Sequence, residues 1–266
     1  MKESIQNKKS KIILGVFSIV LLLLAVCYFI QRKDETIHTI KRYDRSSNET
    51  YVMQYIIKDN DTIVHGTSVS YDKKGNKIVE GQFVNNKPFG KWVYYFNNGN
   101  IKAIHYRLNK KSNAESIWNY SNGKIERYVL YDEFEKPVFI IRYDEAGNVK
   151  SYEGLPLIEI YQFKIARKEK FKINIDQYLK VGDTLKYQYL LANLPNSKRN
   201  FKIERIGCSN LYIKRILTNN PPSIITVKEV VNKKGINTIR AVVQYKFSDI
   251  EKTVINDTIS FDIEVH

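Results

Sequence analysis

Four glycines, Gly75, Gly99, Gly123 and Gly147, follow one another at intervals of 24 residues. A period of that length signals stacked copies of one supersecondary unit. The stretches leading to them are GTSVSYDKKG (66–75), GKWVYYFNNG (90–99), AESIWNYSNG (114–123) and VFIIRYDEAG (138–147). Apolar or aromatic residues alternate along each, and a turn closes it. Asn98-Gly99 and Asn122-Gly123 supply residues that accept a positive φ, so each stretch reads as a strand entering a hairpin. The runs that follow, NKIVEGQFV, NIKAIHYRL, KIERYVLY and NVKSYEGL, read as return strands. One repeat is therefore expected to be two antiparallel strands, with Gly81 and Gly90 where strands bend or backbones approach closely.

Alternation divides the repeat into two faces. One carries Val69, Val93, Ile117 and Ile141, with Tyr71, Tyr95, Asn119 and Tyr143 two residues on. Its recurrence marks it as the shared structural face. The other carries Ser68, Trp92, Ser116 and Ile140, then Ser70, Tyr94, Trp118 and Arg142, then Asp72, Phe96, Tyr120 and Asp144. Aromatics gather in its middle two copies, and Trp92, Tyr94, Phe96, Trp118 and Tyr120 are the candidate binding residues, expected as one cross-strand patch. Two roles stand open for it: an exposed surface for a partner, or core beneath a curved sheet or against the next domain.

The stretch GKWVYYFNNGNI, with its G-K-W and Y-x-N-G, resembles the variant MORN repeats of bacterial proteins, a class often labelled as antitoxin components. The resemblance covers residues 60–155 and is closest in the second repeat. The leading Gly becomes Ala114 and Val138, and NKP at 86–88 returns as EKP at 135–137, one position out of register. It implies an elongated sheet of stacked hairpins used for protein or membrane contacts, with no catalytic residues to carry over.

After EGLPL the period ends and a new set of strands begins, at IEIYQFKI, FKINID, TLKYQYLLA, NFKIERI, LYIKRIL, IITVKEVV, NTIRAVVQYKF and DTISFDIEV. Seven or eight short strands broken by VGD, NLPNSKRN, NNPPS and NKKG read as an antiparallel sandwich. Its outline is similar to the Ig-like modules of bacterial envelope proteins, without the Cys and Trp hallmarks of antibody domains. Lys164, Arg167, Lys168, Lys170 and Lys172 read as a solvated strand edge that discourages pairing.

At the other end, Ile12 to Ile30 runs without a charge between Lys8, Lys9 and Lys11 and Arg32 and Lys33. It reads as a transmembrane helix and signal anchor, with a cleaved signal or a lipid-modified Cys27 as the alternatives. The expected fold class is thus mainly β: an N-terminal transmembrane helix, a repeated β-hairpin sheet and an antiparallel Ig-like β-sandwich. The domains are expected as a tail at 1–11, the anchor at 12–30, a linker at 31–48, the repeats at 49–155 and the sandwich at 156–266.

The net charge of +15 is spread along the chain, with 19 of the 43 basic and 10 of the 28 acidic residues from position 160 onward. Without a basic block it reads as a broadly positive solvated surface, and no nucleic acid is expected. Cys27 and Cys208 form no disulfide framework, and Cys208 reads as a small core residue. His38, His65, His105 and His266 lack metal-ligand spacing, so no metal or cofactor is expected. Asp59 and Asp61 lack the rest of a calcium loop, and Asp132 and Glu133 read as solvated turn residues.

These features point to a membrane-anchored, non-catalytic binding or scaffold protein of a bacterial cell envelope. It would be held at the membrane through residues 12–30, single-pass, with the bulk on the non-cytoplasmic side, and would meet a protein partner through the repeat sheet. An antitoxin or immunity-like protein and an envelope hydrolase are the alternatives. A homodimer paired at open sheet edges is compatible with such an architecture.

Overall fold

In the computed structural model, residues 36–108, 112–164, 179–207, 214–220 and 222–266 are described. Ten strands form one antiparallel sheet in chain order: β1 (His38–Asp44), β2 (Glu49–Lys58), β3 (Asp61–Tyr71), β4 (Lys77–Val84), β5 (Lys87–Tyr95), β6 (Ile101–Arg107), β7 (Asn113–Asn119), β8 (Ile125–Tyr131), β9 (Pro137–Tyr143) and β10 (Val149–Gly154). The repeated turn explains the period. The N–H groups of Asp72, Phe96, Tyr120 and Asp144 donate to the carbonyls of Asn76, Asn100, Lys124 and Asn148, and the glycine N–H of each turn donates back. The four glycines sit at φ 85°, 85°, 87° and 94°, where a Cβ would be strained. The link between β8 and β9 uses the same turn, with Glu135 in the glycine's place at φ 63°.

The sheet begins earlier than the repeat. Strand β1 occupies residues expected as linker, because Asp44 closes a turn by accepting from both the N–H and the Oγ of Ser46 at 2.9 and 2.7 Å. That turn brings His38–Asp44 alongside β2.

Seven strands make the second unit: β11 (Leu157–Lys164), β12 (Thr184–Leu191), β13 (Ser197–Ile206), β14 (Arg215–Asn220), β15 (Ile224–Val230), β16 (Gly235–Phe247) and β17 (Val254–Val265). They form two antiparallel sheets in the orders β11-β12-β15-β14 and β13-β16-β17. Lettered A to G along the chain, these are the ABED and CFG sheets of a constant-type immunoglobulin sandwich. The FKINID stretch expected as a further strand, and Cys208, lie outside the described residues.

The sandwich lacks the antibody disulfide and fills its core with rings and ions. Tyr187 meets Phe261 and Tyr189 meets Phe201 edge to face across the two sheets, at 5.4 and 5.9 Å between centroids. Between them lies a buried triad in which Glu229 is paired with Arg205 and Arg215 and accepts the Tyr187 hydroxyl at 2.8 Å. Arg205 reaches from the second sheet to the first, so the triad ties the two layers together.

The expected transmembrane helix is corrected by this architecture. The described residues form strands and no helix, and no helix among them is long and apolar enough to cross a membrane. Their apolar residues alternate instead of running together, which buries one face of a strand and cannot make an all-round apolar span. Residues 12–30 themselves lie outside the described residues. The membrane and signal-anchor expectations rested on that helix, and no such span is found among the described residues.

One continuous core joins the two units. From the repeat sheet, Tyr128, Leu130, Phe139, Ile141 and Tyr143 are 0–1% exposed and share a cluster with Leu191, Ala192, Leu194, Tyr245 and Phe247 of the sandwich. Burying each such side chain stabilises by roughly 1.5–3 kcal/mol. Fixing the two-residue link Leu155–Pro156 costs only about 1–2 kcal/mol per residue. Burial wins, and the units are docked.

Polar contacts fix the docking register. Glu115, 4% exposed, accepts from Tyr128 Oη at 2.8 Å, Ser223 Oγ at 2.7 Å and Asn193 Nδ2 at 3.1 Å. The Asn193 N–H donates to Tyr128 Oη at 3.0 Å, and Tyr143 Oη donates to the Pro195 carbonyl at 3.2 Å. Burial raises the Glu115 carboxyl above its ordinary value, against the three hydrogen bonds that favour the carboxylate.

Two predictions follow the buried ions. Glu229→Gln leaves Arg205 and Arg215 without their counter-charge, and urea unfolding should show a loss of about 3–5 kcal/mol; a loss below ~1 kcal/mol refutes the role of the triad. For Glu115 the folded value is raised, so its contribution is greatest in acid and is lost as pH rises from 4.5 through the folded value. The stability difference between Glu115→Gln and wild type should shift in favour of the variant across that window, and a pH-independent difference contradicts the assignment.

Candidate functional site

Two faces result from the period-two alternation of the strands. Ile117, Tyr128 and Ile141 are directly opposed across β7, β8 and β9, and this is the face the sandwich covers. Trp118, Arg127 and Arg142 are the next opposed set on the same strands, so they belong to the other face. The aromatic residues therefore lie opposite the sandwich, so packing against the next domain falls to the valine and isoleucine face; of the other alternative, core within the sheet's own face, Trp92 is buried at 8% exposure while Tyr94 and Trp118 are half-buried.

On this free face two rows cross the strands. One runs Val79, Tyr94, Ala103, Trp118, Arg127 and Arg142; the neighbouring row includes Trp92, His105, Ser116, Val129 and Ile140. Large rings alternate with small residues. Trp92 lies across Gly81, where an added Cβ would overlap the indole, and meets Phe83 edge to face at 5.2 Å. Gly81 is thus required by the ring above it.

His105 joins the two tryptophan neighbourhoods. Its ring lies edge to face with Tyr94 at 5.1 Å and with Trp118 at 5.3 Å, and Nδ1 is 2.7 Å from Ser116 Oγ. Burial, with a smaller contribution from Arg107, lowers its pKa and favours the neutral ring. Each indole also carries a guanidinium: Arg107 stands 5.5 Å from the Trp92 ring and donates to Tyr94 Oη at 3.1 Å, and Arg127 stands 4.2 Å from the Trp118 ring.

Trp92, Tyr94 and Trp118 are brought together as expected from alternation; Phe96 and Tyr120 are not. Strands β5 and β7 end at Tyr95 and Asn119, opposite bulges whose extra residues, Lys102 and Glu126, lie on the return strands, and Phe96 and Tyr120 follow beyond the last paired residues. Both sit in the turns. Phe96 is covered by Lys102, 6.0 Å from its ring, and Tyr120 Oη donates to the Tyr143 carbonyl at 2.8 Å. They occupy the position at which Asp72 and Asp144 cap the equivalent turns. His105, Arg107 and Arg127 were missed by sequence reasoning because they lie on return strands, and their register against Trp92 and Trp118 is the signal that places them.

The concavities hold other groups. A groove of about 520 Å³ lined by Lys41, Tyr43, Thr50, Val52 and Tyr71 lies on the sandwich-bearing face at the far end of the sheet. A second, of about 370 Å³, lies at the junction between Leu108, Tyr131, Phe134, Ile160, Leu190 and Ile224. Asp72 and Asp132, at their rims, are engaged in capping their own turns. Asp59 lies in the turn between β2 and β3. Among the described residues no three His, Cys, Asp or Glu side chains are grouped to hold a metal ion.

No family model and no curated protein matches the chain. Among solved structures it is similar to the S-layer protein SbsC domains 4 and 5, with 11% identity, 78% of this chain and 94% of that chain covered, and a TM-score of 0.21. A score that low carries no argument about fold or function.

Substituting Gly81→Ala forces the Trp92 ring off its seat, at about 1–3 kcal/mol. Chemical denaturation should show that loss together with a red shift of tryptophan emission; an unchanged midpoint and spectrum contradict the packing described.

Proposed function

We propose that the protein is a non-catalytic binding or scaffold protein that holds a protein partner on the free face of a MORN-like repeat sheet. The observation that supports this reading is the division of labour between faces. The sandwich takes the recurrent aliphatic face, and the varied face keeps Trp92, Tyr94 and Trp118 interleaved with Arg107 and Arg127. Trp, Tyr and Arg are the residue types that dominate binding energy at protein interfaces. Rings held against one another and against small residues are already ordered, so little side-chain freedom is lost when a partner docks. An open sheet face suits a protein surface better than an enclosed small ligand.

The test is capture of partners by the full chain beside Trp118→Ala, with the denaturation midpoint of the variant measured as a control. Trp118 is half-buried and its removal leaves the sandwich core untouched. A partner held by this face should bind the variant roughly thirtyfold more weakly or worse, the loss of an anchor of about 2 kcal/mol. A folded variant that keeps every partner at full affinity refutes the reading.

A further inference from the structure

The sandwich covers the aliphatic face of the repeat sheet at its β7–β10 end and leaves the other end open. The shared core takes no residue from β1, β2 or β3, yet the rows of that face continue across them. Lys41, Val52 and Val69 are directly opposed in one row, and Tyr43, Thr50 and Tyr71 in the next. These rows hold the groove of about 520 Å³, within the range of roughly 300–1,000 Å³ that small ligands occupy. Tyr43 and Tyr71 stand on alternate strands, two spacings or roughly 9.6 Å apart, with Thr50 between them and Val52 beside it. The Tyr43 hydroxyl donates to Asn48 Oδ1 at 2.9 Å, which pins its ring and leaves its oxygen free to accept.

The charge in the groove is one-sided. Lys41 and Lys73 both line it, and neither has an ion pair among the described residues. The only carboxylate in the lining, Asp72, is occupied by its own turn: Oδ1 accepts the N–H groups of Lys74 and Asn76 at 2.8 Å each, and Oδ2 accepts Asn76 Nδ2 at 2.9 Å. Lys74 stands near it as a counter-charge, and with the hydrogen bonds it holds the carboxyl below its ordinary value. The groove is left with two ammonium groups and no carboxylate free of its own turn.

We propose that this groove binds a sugar ring carrying an anionic substituent, as in a chain of uronic acids. The C–H face of such a ring is weakly positive at its edge and suits the electron-rich faces of Tyr43 and Tyr71. Its hydroxyl groups find a donor and acceptor in Thr50 and an acceptor in Tyr43, and Val52 supplies an apolar patch of floor. The lysine ammonium groups, each a mobile point charge with three donors, reach the anionic substituent from Lys41 on β1 and from Lys73 in the turn after β3. A bare phosphate has no use for two phenol rings and a valine, and a neutral sugar has no use for two unpaired ammonium groups. Because the groove is open at the surface, a ring within a longer chain enters it as readily as a free one. It lies on the opposite face from Trp118, so this site and the protein-binding face stand or fall separately.

The probes are an oligogalacturonate, its neutral methyl ester, a nucleoside monophosphate and inorganic phosphate, each titrated calorimetrically against the full chain. The oligogalacturonate should bind, with affinity that falls as salt is raised, and the methyl ester should bind roughly tenfold more weakly. Lys41→Gln and Lys73→Gln should each weaken the acidic ligand roughly threefold, the value of an exposed ion pair, and together remove most of the salt dependence. Tyr43→Ala should weaken it roughly fivefold to tenfold, the value of one ring contact. All three side chains are exposed, so denaturation midpoints should stay near wild type, and Trp118→Ala should bind the sugar as wild type does. Equal binding of the methyl ester, tighter binding of the nucleoside monophosphate or of phosphate, or no binding of the oligogalacturonate at millimolar concentration overturns the assignment. So does undiminished binding by both Tyr43→Ala and the double lysine variant, or binding that is lost with Trp118→Ala instead.

Discussion

Everything about this molecule's usable surface depends on which side of the repeat sheet the sandwich buries. Tyr128, Leu130, Phe139, Ile141 and Tyr143 go into a core shared with strands and a loop of the sandwich, and Glu115 is drawn in with them as a carboxyl held by three neutral donors. Because side chains alternate at each residue, burying that set commits Trp92, Tyr94 and Trp118 to the other side. Apolar burial supplies the strength, and the Glu115 hydrogen bonds supply the register. A slip of one residue would exchange the two sets and leave a carboxylate on the solvent side with three buried donors unmatched.

The free face is ordered by a different device. With the sandwich on the opposite side, rings are seated by their neighbours: a buried Trp92 over Gly81, half-buried Tyr94 and Trp118 against His105, and a guanidinium on each indole. Such pairs are worth about 0.5–1.5 kcal/mol each beyond area burial, enough to hold rotamers and too little to close the surface. The face is preorganised without being part of the main core, which is the condition an interface needs.

Much of the first layer was legible because a turn with positive φ needs glycine, and four turns of one kind leave four glycines at one spacing. The twofold division of side chains was legible for the same reason. The strand ends and bulges were not, since the extra residues Lys102 and Glu126 sit on the return strands and leave no mark in the stretches before the glycines, and so Phe96 and Tyr120 were grouped with rings they do not meet. Arg127 was invisible as a partner of Trp118 until the register of β7 against β8 was known. Strand β1 was hidden in a polar stretch because its residues are exposed on both faces. The sandwich order comes from long-range pairings, β12 with β15 and β13 with β16, that no local pattern encodes. The apolar stretch at 12–30 invited a membrane helix by length and charge flanks alone, and the described structure is built from strands throughout.

Hydroxyl-radical footprinting of the intact chain, read residue by residue by mass spectrometry, distinguishes the two faces most directly. Tyr128, Phe139 and Tyr143 should stay unmodified under the sandwich, while Tyr94 and Trp118 on the opposite face take up oxygen. Oxidation of Tyr128 and Tyr143 alongside protection of Tyr94 and Trp118 would place the sandwich on the aromatic side and contradict the account.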